Sequence, residues 1–130
     1  MRARWLLAAP IAVTVAARQR HARSVAIEDA PVAASARVNP FAGSADAVAA
    51  GSKLYAQHCA SCHGAEARGL RRASDLRDAG IQQSPDGALE WFLRNGSLAS
   101  GMPSWSGLPE QRRWQLVAYV KNLGAAPEGP

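Results

Sequence analysis

The chain has 130 residues, 48% of them hydrophobic, which suits one domain of modest core plus a tail. Its formal charge is +5, but no extended basic patch with interleaved aromatics appears, so a nucleic-acid-binding role has no support. Domains this small bury a limited share of their surface and often depend on a metal or cofactor for their stability.

The first segment explains part of the charge. Arg2 and Arg4 precede a short apolar run over residues 5–17, and Val15 and Ala17 occupy the small-residue positions of an export-signal cleavage site. Thirteen residues are too few to cross a bilayer of about 30 Å, which argues against a permanent anchor. Ala34-Ser35-Ala36 offers a second small-x-small site, far from the apolar run. Cleavage after residue 17 leaves 13 Lys and Arg against 10 Asp and Glu, a balance of +3. Residues 18–44 mix Ala, Arg, Ser and Val with Pro31 and Pro40, lack periodicity, and read as a flexible leader or, equally, as an N-terminal extension packed on the surface.

The domain proper is expected over residues 45–124, with 125–130 as a C-terminal tail. A first helix is predicted over residues 46–57, capped by Ser44 or Asp46, with Val48, Leu54 and Tyr55 on its apolar side. A second is predicted over 85–95, where Ser84 suits the cap, Pro85 the first turn and Gly96 the stop. Leu89, Phe92 and Leu93 give its buried face. A third is predicted over 109–123, ending before Gly124, with Trp114, Val117, Tyr119, Val120 and Leu123 as its apolar residues. Residues 64–80 and 96–107 read as loops. No strand pattern is present, so the fold class is all-α.

Immediately after the first helix comes Cys59-Ala60-Ser61-Cys62-His63. The C-x-x-C-H spacing is the attachment pattern of a c-type haem: two thiols three residues apart reach the two vinyl groups of the porphyrin, and the next residue sets an imidazole under the iron. Three rivals exist. A thioredoxin-like dithiol needs a strand-helix-strand setting that is missing here. A zinc site would be half formed, since no second Cys pair exists and the other histidines are only His21 and His58. A disulfide in an exported protein is the most credible of the three.

A chain cleaved after residue 17 holds a single methionine, Met102, flanked by Gly101 and Pro103 and lying 39 residues after His63. That loop can present a thioether to a metal, which makes Met102 the candidate sixth ligand beside His63. His58 is the alternative, although its place one residue before Cys59 makes the opposite face of the ring hard to reach. Two ionised propionates would lower the net charge to about +1.

With these residues in view, positions 46–123 resemble the class I cytochrome c family. Gly51 and Tyr55 look like the glycine and aromatic of that family's N-terminal helix, and Leu116 and Tyr119 like their partners on the C-terminal helix. The resemblance implies a fold of three main helices with long loops around one covalent haem c. Cys59 and Cys62 would be its thioether residues, and His63 and Met102 its iron ligands. It further implies single-electron transfer in the periplasm between redox proteins, such as a dehydrogenase and a terminal oxidase, by a monomer not inserted in the membrane. A fixed haem subunit of a larger oxidoreductase, and an open-site peroxidase, are the competing roles.

The Gly101-Met102-Pro103-Ser104-Trp105 stretch resembles small bacterial members. One departure stands out. The family's proline after the haem motif is absent between His63 and Ser84, so the acceptor for the His63 ring is left unassigned, although a carbonyl of the loop over 69–75 could serve without a proline. Arg71 and Arg72 read as solvated charges, and Trp105 either packs on the haem, bonds a propionate, or fills core.

Overall fold

The computed structural model describes residues 24–125. The segment read as an export signal, His21, and residues 126–130 of the tail lie outside it. In chain order the helices are α1 (Val32–Ser35), α2 (Ala45–His58), α3 (Ala60–His63), α4 (Ala79–Gln83), α5 (Asp86–Asn95) and α6 (Glu110–Ala125). Single 3-10 turns cover Ile27–Asp29 and Leu98–Ser100. No strand occurs among the described residues, and the class is all-α. The three expected helices are α2, α5 and α6.

Helices α2 and α6 form the main contact of the fold. Ser44 starts α2 by accepting the Ala47 amide at 3.2 Å, which satisfies one of the free donors of the first turn. Gly51 lets the two helices cross closely: a Cβ there would lie 2.1 Å from the Gln115 carbonyl oxygen and 2.8 Å from Tyr119 Cβ. One turn later the Tyr55 and Tyr119 rings meet at 5.1 Å between centroids. Leu54, Tyr55, Ala67, Leu116 and Leu123 close the first core cluster around this crossing. The second cluster joins Leu89 of α5 to Trp114 and Val117 of α6.

Local details differ from the sequence pattern at two helix ends. Pro85, not Ser84, caps α5, because the Ser84 hydroxyl donates to the Gly80 carbonyl at 2.7 Å and ends α4. Helix α6 runs through Gly124 to Ala125, where Gln82 packs against the bare glycine backbone and donates to the Val120 and Leu76 carbonyls.

Residues 24–44 are docked on the helices, as in the packed one of the two readings open for this part. Helix α1 lies on α5 at Gly87, where a Cβ would come within 2.1 Å of the Ala34 carbonyl oxygen. The buried Asn39 amide donates to the Trp114 carbonyl at 3.1 Å. Arg37 reaches Glu90 at 3.4 Å, pairs with Glu110, and stacks over Trp114 at 5.1 Å. Glu90, 1% exposed, is held mainly by the Arg113 guanidinium at 2.8 Å. A buried carboxylate is tolerated only when paired and hydrogen-bonded in this way.

Candidate haem site

Helix α2 stops at His58, and the chain re-enters a single turn, α3, with Cys59 as the hinge. The Cys62 and His63 amides both donate to the Cys59 carbonyl, at 3.1 and 2.9 Å. Gly64 then leaves this turn at φ +83°, a value a glycine adopts without strain. The Tyr55 hydroxyl donates to the Gly64 carbonyl at 2.5 Å and ties the turn to α2. Burial pushes the Tyr55 phenol up to about 12 and the Cys59 thiol up to about 11, with smaller contributions from neighbouring groups. The two cysteines are not joined to each other, and Cys62 is the exposed one.

Cys59, Cys62 and His63 open on a cavity of about 1110 Å³. That exceeds the roughly 300–1,000 Å³ of a typical small-molecule pocket, as a macrocycle needs. Its walls are apolar: Leu76 from the loop after α3, Leu89, Phe92 and Leu93 from α5, and Val117 and Val120 from α6.

His63 is oriented by one contact. Its Nδ1 lies 2.9 Å from the Ser74 carbonyl oxygen, so Nδ1–H donates there and the Nε2 lone pair is left for a metal. The acceptor comes from the loop the sequence pointed to, without a proline. That loop is held in turn by the Leu76 amide on the Ala67 carbonyl at 2.8 Å, and by Arg77, whose guanidinium reaches the Glu66 and Leu123 carbonyls.

Met102 lines the same cavity. Its amide and carbonyl both pair with Ser97, at 3.1 and 2.9 Å, making a closed turn of six residues. Gly101 sits in the left-handed region at φ +86°, and Gly96 at φ +66° packs so close to Pro103 that a Cβ would lie 2.5 Å from its carbonyl. The loop is then fastened to the end of α5 by the Trp105 amide on the Leu93 carbonyl, 2.9 Å, and the Ser104 hydroxyl on the Arg94 carbonyl, 2.6 Å.

Four predicted residues therefore share one cavity. His58 and Trp105 line it too, with their rings packed together at 5.2 Å, a pairing that 46 intervening positions hid from the sequence. Arg71 and Arg72 stand exposed at its rim. The buried set of Glu90, Arg113 and Asn39 was also not singled out. Its one signal was an acidic residue in register with the apolar face of α5, three before Leu93.

A hydrophobic slot of this size, floored by two thiols and an oriented imidazole, fits a covalently attached haem, and a protein built around it is a c-type cytochrome. Comparison with known proteins agrees. Residues 46–120, more than half of the chain, match the family described as "Cytochrome C oxidase, cbb3-type, subunit III", and the chain belongs to that family of c-type cytochrome domains. It is 32% identical over 91 residues to cytochrome c550 of Pseudomonas aeruginosa, covering 65% of this chain and 61% of that one. It is 31% identical over 84 residues to the cbb3-type cytochrome c oxidase subunit CcoP of Rubrivivax gelatinosus, covering 62% of this chain and 27% of that protein. The chain thus spans less than two thirds of either relative. No solved structure matches it.

Proposed function

We propose that this protein is a single-electron carrier whose haem is bonded to Cys59 and Cys62 and ligated by His63 and Met102. The observation that carries the reading is the common cavity of these four side chains, with His63 Nδ1 already committed to Ser74. When bound, the haem supplies a one-electron iron couple. The chain does the rest. Ser74 fixes the imidazole and raises its basicity as a ligand. The Ser97–Met102 turn holds the thioether in place, and a thioether with one imidazole favours a higher potential than two nitrogen ligands. Leu89, Phe92, Leu93 and Val117 keep water from the ring. If His63 and Met102 both held the iron, no site would be open to substrate, which favours electron transfer over catalysis.

The partners follow as redox proteins, a dehydrogenase or a terminal oxidase, met in the periplasm after export by residues 1–17. Among the described residues no helix is long and apolar enough to cross a membrane. A second reading has specific support. The matched family and one relative are named as oxidase subunits, so this domain as a fixed haem subunit of an oxidase is the alternative. Purification from membranes at increasing salt separates the two: a carrier elutes alone, and a subunit stays with its oxidase.

Protein-film voltammetry tests the function itself. A carrier gives a reversible one-electron wave that peroxide and oxygen leave unchanged. A catalytic current with peroxide would replace the carrier by an open-site peroxidase.

A further inference from the structure

The family match begins at residue 46, yet the haem cavity has a wall from before it. Val25, Ala26 and Ile27, together with Glu28, line the cavity alongside Leu89 and Phe92. Ile27 packs against the cluster of Leu89, Trp114 and Val117. On its other side, Ile27 and Glu28 share a smaller hollow with Ser74 and Ile81. This segment therefore abuts the loop whose carbonyl orients His63. It is a built feature: the Asp29 carboxylate closes the turn onto the Ala26 amide at 2.9 Å. Further along, α1 seats on Gly87, Arg37 on Glu90, and Asn39 on the Trp114 carbonyl.

We propose that residues 25–28 are a resident wall of the haem cavity on the Ser74 side, and that Ile27 is a positioning residue that sets the potential by keeping water from the ring. The inference rests on the haem reading above. Its physical basis is charge. The porphyrin-iron core carries one more positive charge when ferric than when ferrous, and an apolar, water-free surround disfavours the more charged form. Ile27 thereby holds the potential up. The Glu28 carboxylate acts in the opposite sense, but it is exposed and screened by solvent, so the apolar contribution decides. The wall also implies that export processing leaves it in place. Cleavage at Ala34-Ser35-Ala36 would remove it.

The test uses the matured holoprotein and three variants: Ile27→Ser, Ile27→Thr, which keeps the branched shape and adds only a hydroxyl, and Val32→Ser. Val32 is 87% exposed and outside the cavity, so it reports any general effect of polar change in this segment. Midpoint potential and the rate of reduction by ascorbate are measured for each. The expected result is a ferric-to-ferrous ratio raised about threefold at fixed poise in Ile27→Ser, about 28 mV at 59 mV per tenfold for one electron. A smaller shift of the same sign is expected in Ile27→Thr, slower ascorbate reduction in both as the lower potential reduces the driving force, and Val32→Ser at wild-type values. Should Ile27→Ser fail to fold, Ile27→Thr against Val32→Ser decides. An Ile27 variant that loses thermal stability but keeps the wild-type potential and rate would overturn the proposal. Failure of the haem reading is a different result, a wild-type protein without covalent haem.

Discussion

Gly51→Ala tests the crossing on which the cavity depends. The new methyl would lie 2.1 Å from the Gln115 carbonyl oxygen, where ordinary contact begins at 3.4 Å, so α6 must retreat by about 1.3 Å. The obstacle is backbone, and no rotamer relieves it. Alanine gains about 1 kcal/mol over glycine in a helix interior. Against this, overpacking costs about 1–3 kcal/mol, here at the upper end because a helix has to move. Separating Tyr55 from Tyr119 loses a further 0.5–1.5 kcal/mol or so. The net is a loss of about 3 kcal/mol, or about 12–24 °C in Tm for a domain of this size. Gly107→Ala is the control, since its Cβ meets nothing within 4 Å and its φ lies outside the left-handed region. It should change stability by no more than about +1 kcal/mol. Urea unfolding followed by far-ultraviolet circular dichroism reads both. A Gly51→Ala protein as stable as wild type would refute the close crossing.

Glu90→Ala and Arg113→Ala should each cost about 3–5 kcal/mol in urea unfolding, because each strands a buried charge. Arg37→Ala should cost about 1 kcal/mol or less, since that side chain is 43% exposed. Tyr55→Phe should lose about 1 kcal/mol at neutral pH with the hydrogen bond to Gly64. The Tyr55 phenol is held neutral up to about 12 in the folded protein, above its ordinary value of 10.0. Its contribution is therefore complete below pH 10 and is lost as pH rises through about 12, so wild type should weaken more steeply than the variant across that window in urea melts. Gly96→Ala, strained at φ +66° and driven against Pro103, should dislodge the Met102 turn. Exogenous imidazole should then bind the ferric protein about tenfold more tightly, the equivalent of about 1.4 kcal/mol.

Much of this molecule was legible in its sequence wherever the signal was local. Ser44 capping α2, the apolar spacing of α5 and α6, and the cysteines and histidine of α3 are each decided within a few residues. What stayed hidden depends on distant partners. Asn39 gains its place from the Trp114 carbonyl, 75 residues away, and α1 from the bare backbone of Gly87. A segment of Ala, Arg, Ser and Val therefore left a loose and a packed reading equally open, although it is docked. The loop serving His63 was foreseeable as a range, but choosing Ser74 within it depended on the positive φ values of Ala67 and Arg71, which composition does not announce. The Met102 loop was visible as Gly-Met-Pro. Its closure through Ser97 was not, because an isolated two-residue bridge leaves no periodic trace.

The proposed function stands on a covalent haem with Met102 on the iron. Reduced-minus-oxidised absorption spectra of wild type and Met102→Ala, matured with a haem-attachment system and extracted with acid–acetone, test it most directly. Wild type should show sharp low-spin c-type bands that survive extraction, and the variant a high-spin spectrum. Colourless protein, or haem that extracts freely, would contradict it. So would a variant spectrum identical to wild type, which would move the sixth position to His58 or another group.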